Sequence, residues 1–246
     1  MIDTHAHLAD DIFDADRDVV VERARAAGVS HCVVVGETPW ESEAIRKVCE
    51  RYGGWAHGCL GLFPGKATES AVAAFECMAG EGWVGFGEIG LDTWVVKDEA
   101  ERAHDEKVFS HILSLACRYD LPVNVHSRSC GRRAIELLIS SGHKKVHMHA
   151  FEAKASTVKM GIEAGFYFSI PVSILHSPQK QKLASLVPLT QMMLETDSPV
   201  LGPVRTERNE PANLVLALEA IAKLRDMQVS ELEKVLDANS RCLYGI

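Results

Sequence analysis

Six residues of the types that bind metal ions follow or end short apolar runs in this 246-residue chain. They are His5, His7, Glu88, His126, His149 and Asp197. Four imidazoles and two carboxylates offer the mixed nitrogen and oxygen donors that suit zinc, manganese or magnesium, with the choice among them open. Two such ions lower the pKa of a shared water molecule and clamp both oxygens of a displacement. The set therefore predicts two divalent ions and a hydrolytic reaction.

A single histidine in a folded protein is more often a hydrogen-bonded structural residue than a ligand. The joint position of the six residues favours the metal site, because such groups packed together without a cation would leave buried unpaired charge. Side chains alternate along a strand, so His5 and His7 point the same way and can bind one ion together. His147 has the same parity as His149 but lies one layer deeper, which favours a core or supporting role. The remaining histidines fall on predicted helices, strand starts or loops and are left outside the site: His31, His57, His104, His111, His143 and His176.

Short β-branched runs alternate with amphipathic stretches along the whole chain. Eight strands are predicted at residues 1–4, 31–36, 56–60, 84–88, 122–126, 145–149, 166–170 and 191–197. The clearest helical periodicity lies at residues 100–118, 132–141, 155–164 and 213–226. A last helix is expected within residues 230–246, with Ser230 as its N-cap. The repeated unit is a strand followed by a helix.

Eight βα units in about 250 residues predict an α/β protein with a (β/α)8 TIM barrel, whose active site lies at the carboxyl ends of the strands. A doubly wound open sheet is the competing architecture, but no Gly-x-Gly-x-x-Gly follows the first strand. No linker or low-complexity tract interrupts the series, so residues 1–246 are expected to form one domain.

Composition narrows the class of partner. The formal charge is −8, the opposite of what a general nucleic-acid binder carries, so a polyanionic substrate would need a local cationic site. No apolar stretch is long enough to cross a membrane, and the first residues do not resemble a secretory signal. We therefore expect a cytoplasmic protein, with a nuclear location also open, no membrane partner and no obligate protein partner.

Five motifs together carry a family resemblance. Residues 3–8 (DTHAHL), 87–92 (GEIGLD), 122–128 (PVNVHSR), 149–151 (HAF) and 194–199 (LETDSP) resemble the successive motifs of the TatD family of metal-dependent hydrolases, part of the amidohydrolase superfamily. The match runs from residue 2 to about 244 in order and spacing. His-x-His alone would be a weak signal, but five motifs in register are specific. Residues 126–132, 168–171 and 208–211 are most similar to animal members of the family.

The resemblance implies a TIM barrel with deoxyribonuclease activity on DNA, single-stranded or damaged, as an exonuclease or an abasic-site endonuclease. It also implies the ligands of each ion. His5, His7, Glu88 and Asp197 would hold the first, and Glu88, His126 and His149 the second. Asp197 and Glu88 are the predicted catalytic residues, and Asp197 would accept and return the proton of the attacking water.

One position departs from the family pattern. Where the family usually reads Gly-Val-His-Pro after the third strand, this chain has Phe63 before Pro64. Phe63 cannot contact a phosphate or share a proton, so it either stacks on a nucleotide or plugs the rim.

Three further side chains are weaker candidates. Arg128 has the parity of His126 and either binds a phosphate or forms a rim salt bridge. Asn209 either closes the pocket as a substrate contact or caps the helix that begins near Pro211. Glu195, two residues before Asp197, is expected to support a ligand from behind.

Two other functions stay open at this stage. The same superfamily site serves hydrolases of small cyclic amides or lactones. A catalytically silent barrel used as a binding scaffold is the third interpretation, but a scaffold has no need of six metal ligands.

Overall fold

Eight parallel strands alternate with helices in the computed structural model, which describes residues 1–80 and 82–246. The strands pair in chain order, from β1 to β8. They are β1 (Ile2–Ala6), β2 (His31–Val34), β3 (Ala56–Leu62), β4 (Gly85–Asp92), β5 (Val123–Arg128), β6 (Val146–Met148), β7 (Tyr167–Pro171) and β8 (Met192–Glu195). A bridge between Ala6 and Ser198 joins the first strand to the segment after the last. The sheet is therefore a nearly closed barrel, and the predicted (β/α)8 fold is confirmed.

Helices connect the strands and surround them. Over the described residues they are α1 (Arg17–Ala26), α2 (Ser42–Arg51), α3 (Glu69–Met78), α4 (Glu99–Tyr119), α5 (Gly131–Ser141), α6 (Ala155–Glu163), α7 (Pro178–Leu186), α8 (Leu214–Arg225) and α9 (Val229–Tyr244). Within these ranges, no helix has both the length and the apolar character needed to span a membrane.

The N-cap predicted for the last helix is wrong. Helix α9 begins at Val229, and the carbonyl of Gln228 already accepts a hydrogen bond from the Leu232 amide at 3.1 Å. Ser230 therefore lies inside the first turn. The backbone changes from extended to helical two residues earlier than the side-chain pattern suggests, since Gln228 is the extended residue at the cap, with φ −70° and ψ 134°.

Strands β4 and β5 run further than the apolar pattern predicts. Their pairing continues past Glu88, with Gly90 opposite His126 and Asp92 opposite Arg128. A Cβ on Gly90 would lie 2.1 Å from the carbonyl oxygen of His126, and its φ is +138°, so this close approach requires glycine. Glu88 and His126 consequently lie inside their strands rather than at the ends.

Among the described residues, two apolar clusters form the core. The larger one packs the outer face of the strands against the surrounding helices. The smaller one joins buried residues of β2, β3 and β8 to the end of α9, through Val33, Cys59, Met193, Leu243 and Tyr244. Helix α9 thereby brings the hydroxyl of Tyr244 among the buried polar side chains of the strands.

Candidate metal centre

An open cavity of about 830 Å³ is lined by residues from the carboxyl ends of the strands and the loops that follow them. Five of the six predicted metal residues line it: His7, Glu88, His126, His149 and Asp197. The sixth, His5, is fully buried and contacts four of the others: His7, Glu88, Asp197 and, by ring stacking, His149. This is the end of a (β/α)8 barrel at which active sites lie.

Glu88 divides its two oxygens between two pairs of histidines. Its Oε1 lies 2.6 Å from Nδ1 of His126 and 2.9 Å from Nε2 of His149. Its Oε2 lies 3.3 Å from Nε2 of His7 and 3.7 Å from Nε2 of His5. The donors form overlapping groups of three whose atoms lie within 4.8 Å of one another: His5, His7 and Glu88; Glu88, His126 and His149; His5, His149 and Asp197. A carboxylate placed this way can bridge two ions.

Asp197 approaches the same cluster from the segment after β8. Its Oδ1 lies 3.4 Å from Nε2 of His5 and 3.6 Å from Nε2 of His7. The backbone of Asp197 is left-handed, with φ +55°, and its amide donates to the carbonyl of His5 at 2.9 Å. Other cavity-lining residues also have positive φ, among them Ser129, Ala150 and Leu201. Such conformations cost about 1 to 3 kcal/mol each and cluster at functional sites.

A buried amide fixes the proton position on His5. Asn124 donates from Nδ2 to the carbonyl of Thr4 and to the hydroxyl of Tyr244, both at 3.0 Å. Its Oδ1 is therefore the atom that faces Nδ1 of His5, at 2.9 Å, and it accepts the proton of that nitrogen. Nε2 of His5 is left with a lone pair directed at the oxygens of Glu88 and Asp197.

A lone pair facing two carboxylates is repulsive unless a cation lies between them. Nitrogen and oxygen donors at this spacing, with His5 and His126 each oriented by a hydrogen bond on its far side, are the arrangement that divalent ions require. The residues present therefore fit the predicted ions on geometric grounds.

His126 is held from behind by a carboxylate that the sequence reasoning did not assign. Its Nε2 lies 2.8 Å from Oδ2 of Asp92, which leaves Nδ1 for the cluster. Oδ1 of Asp92 accepts from the amides of Trp94 and Val95 at 2.7 and 2.9 Å. Asp92 therefore ties this ligand to the loop after β4.

His149 is also backed by a carboxylate, at ion-pair distance rather than in a hydrogen bond. Its Nδ1 lies 3.4 Å from Oε2 of Glu195, which also accepts the hydroxyl proton of Ser169 at 2.6 Å. Ser169 in turn contacts Nε2 of His147 at 2.6 Å, and Nδ1 of His147 contacts the hydroxyl of Tyr244 at 2.8 Å. Glu195 and His147 lie beneath the ligands, as their parity suggests.

Charge in the cluster is balanced by protons when no cation is present. Burial raises the pKa of Glu88, but the positive charges of His149 and His126 outweigh it and hold that pKa well below its ordinary value. Burial lowers the pKa of His7, yet hydrogen bonds to Asp197 and Glu88 raise it to about 10. Protons thus gather where the donors converge, which is the behaviour of a site built for positive charge.

Asn209 corrects the prediction of a substrate contact. It has no exposed surface, and its Nδ2 donates to the carbonyls of Thr196 and Val200, both at 2.8 Å. Its Oδ1 accepts from the amide of Glu210 and from the side chain of Asn213, both at 2.9 Å. With every polar atom used inside the protein, Asn209 braces the loop after β8 and does not face the cavity.

Phe63 and Arg128 do line the cavity. The ring of Phe63 is half-buried and its centroid lies 4.7 Å from that of His126. Arg128 is exposed, and its guanidinium carbon lies 4.8 Å from the ring centroid of Trp94. The contact of these two side chains with a substrate stays a prediction.

Three residues of the site escaped sequence reasoning. Asp92 lies an even number of residues from Glu88 on β4, and Asn124 an even number from His126 on β5. Each therefore points to the same side of its strand as that ligand, and a correctly extended strand would have predicted it. Lys180 has no such signal. It lies on α7, nearly buried, and donates to the carbonyls of Ala150 and Phe151, and burial lowers its pKa.

Comparison with known proteins agrees with this geometry. The chain matches the family described as TatD related DNase over residues 2–245. Human deoxyribonuclease TATDN3 is 39% identical over 99% of this chain and 94% of its own length. The 3'-5' ssDNA/RNA exonuclease TatD of Klebsiella pneumoniae is 32% identical over 100% of this chain and 98% of its own length. The crystal structure of YJJV, a TatD homolog from Escherichia coli, has the same fold, with a TM-score of 0.92 and 24% identity over 100% of this chain and 98% of that one. The chain therefore belongs to the TatD-related DNase family.

Proposed function

We propose that this protein, acting as a single domain, is a metal-dependent phosphodiesterase that cleaves DNA, single-stranded or damaged. The observation that carries the proposal is the division of the Glu88 oxygens between two histidine pairs, which provides for two divalent ions. The substrate class is supported by the relatives of this chain, which include a human deoxyribonuclease and a bacterial exonuclease of single-stranded DNA and RNA.

Each side chain has a role in this proposal. Divalent ions, when bound, supply the Lewis acidity that polarises a phosphoryl group and acidifies water. His5, His7, Glu88 and Asp197 would hold the first ion, and Glu88, His126 and His149 the second. Asp197 accepts the proton of the attacking water at a carboxylate oxygen and returns it to the leaving oxygen.

In this proposal the substrate phosphate is bound by cationic side chains of the cavity and not attracted by the overall charge of the protein. The net charge of −8 provides little long-range attraction, but Arg128, Lys180 and Arg205 all line the cavity. The planar guanidinium of Arg128 suits a pair of hydrogen bonds to phosphate oxygens. Glu37 and Glu152 also line the cavity and limit how much nucleic acid its outer part attracts.

The test combines metal analysis with a substrate panel. Wild-type protein is incubated with labelled single-stranded DNA, with a duplex carrying an abasic site, and with a set of lactones and dihydropyrimidines under the same metals. We expect cleavage of DNA that EDTA abolishes and added metal restores. Hydrolysis of the cyclic substrates with DNA left intact would instead support the amide or lactone hydrolase. Full metal occupancy with no hydrolysis at all would support the silent scaffold.

His126→Ala tests the number of ions. Because His126 contacts Glu88 only through Oε1, its loss should empty the second position and leave the first occupied. Elemental analysis of metal-saturated protein is expected to give about two equivalents for wild type and about one for the variant. One equivalent in both proteins would contradict the binuclear proposal.

A further inference from the structure

An exposed tryptophan stands beside the cavity on the loop after β4. Trp94 is 57% exposed although it follows the buried Asp92 by only two residues. We propose that Trp94 is a stacking platform for a base of a single-stranded nucleic acid whose scissile phosphate occupies the cavity. The proposal rests on the proposed function and adds a binding position outside the donor cluster.

Two cations lie over the indole ring. The guanidinium carbon of Arg128 lies 4.8 Å from the ring centroid, and Nζ of Lys97 lies 5.0 Å from it. Arg128 also lines the cavity, so it connects the ring to the site of cleavage. In a nucleic-acid strand, bases alternate with phosphates along the chain. An aromatic ring can stack on a base while the cations next to it bind the neighbouring phosphates. The charges therefore favour a polyanionic strand over an apolar protein segment.

Hydrogen bonds fix the backbone at Trp94 relative to the donor cluster. The Trp94 amide donates to Oδ1 of Asp92 at 2.7 Å, while Oδ2 of the same carboxylate faces Nε2 of His126 at 2.8 Å. The neighbouring Thr93 donates its amide to the carbonyl of Arg128 at 3.1 Å. Because the backbone that carries the ring is already fixed, only the side chain has to be ordered when a base stacks on it.

The loop that carries Trp94 adjoins the loop that carries Phe63. A Cβ on Gly65 would lie 3.1 Å from Cγ2 of Val96, so the turn after Phe63 packs directly on the segment after Trp94. Phe63 contacts the ring of His126, whereas Trp94 is mostly exposed. The two aromatic residues therefore suit successive positions of one strand, with the base on Trp94 further from the scissile phosphate.

The experiment compares a long substrate with a short one. Trp94→Ala, Trp94→Phe and the control Trp40→Ala are assayed on a single-stranded dodecamer and on bis(p-nitrophenyl) phosphate. Trp40 is 62% exposed but lies after β2 and is not part of the cavity lining. For Trp94→Ala, the ratio of kcat/KM on the dodecamer to that on the small ester should fall about 5- to 150-fold, the range that stacking of one base contributes. Trp94→Phe should lose less, and Trp40→Ala should keep the wild-type ratio.

A binding measurement separates this proposal from the proposed function. Dodecamers with 2-aminopurine at successive positions report stacking by loss of fluorescence, whether or not the strand is cleaved. Quenching at a position beyond the scissile nucleotide, lost in Trp94→Ala and retained in Trp40→Ala, would support the platform even if wild type failed to hydrolyse DNA. Unchanged quenching in Trp94→Ala, or an equal loss on both substrates with a lower metal content, would overturn it.

Discussion

The donor cluster on the strands and the rim formed by the loops around it are stabilised in different ways. In the cluster, His5, His126 and His149 are each backed by a buried polar side chain, and Asp197 is held by a backbone hydrogen bond to His5 on β1. On the rim, the side chains of Trp94 and Arg128 are exposed and contact each other, and Lys97 lies over the same ring. Changes in the cluster should therefore alter metal binding or turnover, whereas changes on the rim should alter substrate binding with the metal content unaffected.

The largest effect is expected inside the cluster, at Asp197. Asp197→Asn keeps the shape and one coordinating oxygen but cannot accept a proton, so kcat should fall about 10²- to 10⁴-fold. Metal content and melting temperature should stay near the wild-type values under saturating metal. If the variant loses an ion together with activity, the lower rate cannot be assigned to proton transfer; if it keeps both ions and near-normal turnover, Asp197 is not the base.

Removing the support of His5 should weaken metal binding without touching a ligand. Asn124→Ala deletes the acceptor that orients His5, and the metal affinity is expected to fall about 10- to 100-fold. Asn239→Ala is the matched control, because Asn239 likewise donates from Nδ2 to two partners, here the carbonyls of Leu189 and Met192, but supports no ligand. Both affinities can be measured by competition with a chelator. An equal loss in the two variants would indicate general destabilisation.

A substitution at Phe63 tests the inner part of the rim. If the ring stacks on the nucleotide beside the scissile phosphate, Phe63→His should raise the KM for single-stranded DNA about fivefold, the lower limit of one stacking contribution. Metal content should be unchanged. Tighter binding together with faster turnover would mean that the phenyl ring plugs the rim instead.

Salt should have the smallest effect. Two or three cations in contact with a single strand predict a logarithmic slope of about −1.4 to −2.1, so doubling the salt should weaken DNA binding about fourfold or less. Fluorescence anisotropy over a series of salt concentrations measures the slope. A value typical of six or more neutralised phosphates would reveal a basic surface that the net charge of −8 conceals.

The amino-acid sequence by itself determined the barrel and the residue types at its centre. Eight short apolar runs alternating with helical periodicity predicted the strand count, and motif order together with strand parity predicted all six donors, which the structure brings together. These features could be predicted because they depend on local periodicity, which a single stretch of chain contains.

Only the tertiary structure decided how the donors are held. The length of β4 depends on pairing with β5, so Asp92 became visible as the partner of His126 only once the strands were paired. Asn124 and Tyr244 are 120 residues apart, and no local pattern predicts their hydrogen bond. Asn209 follows a strand as a ligand would, yet packing directs its amide to the backbone. Hydrogen-bond partners distant in sequence are chosen by the folded arrangement of the whole barrel, because each buried polar atom must find a partner there.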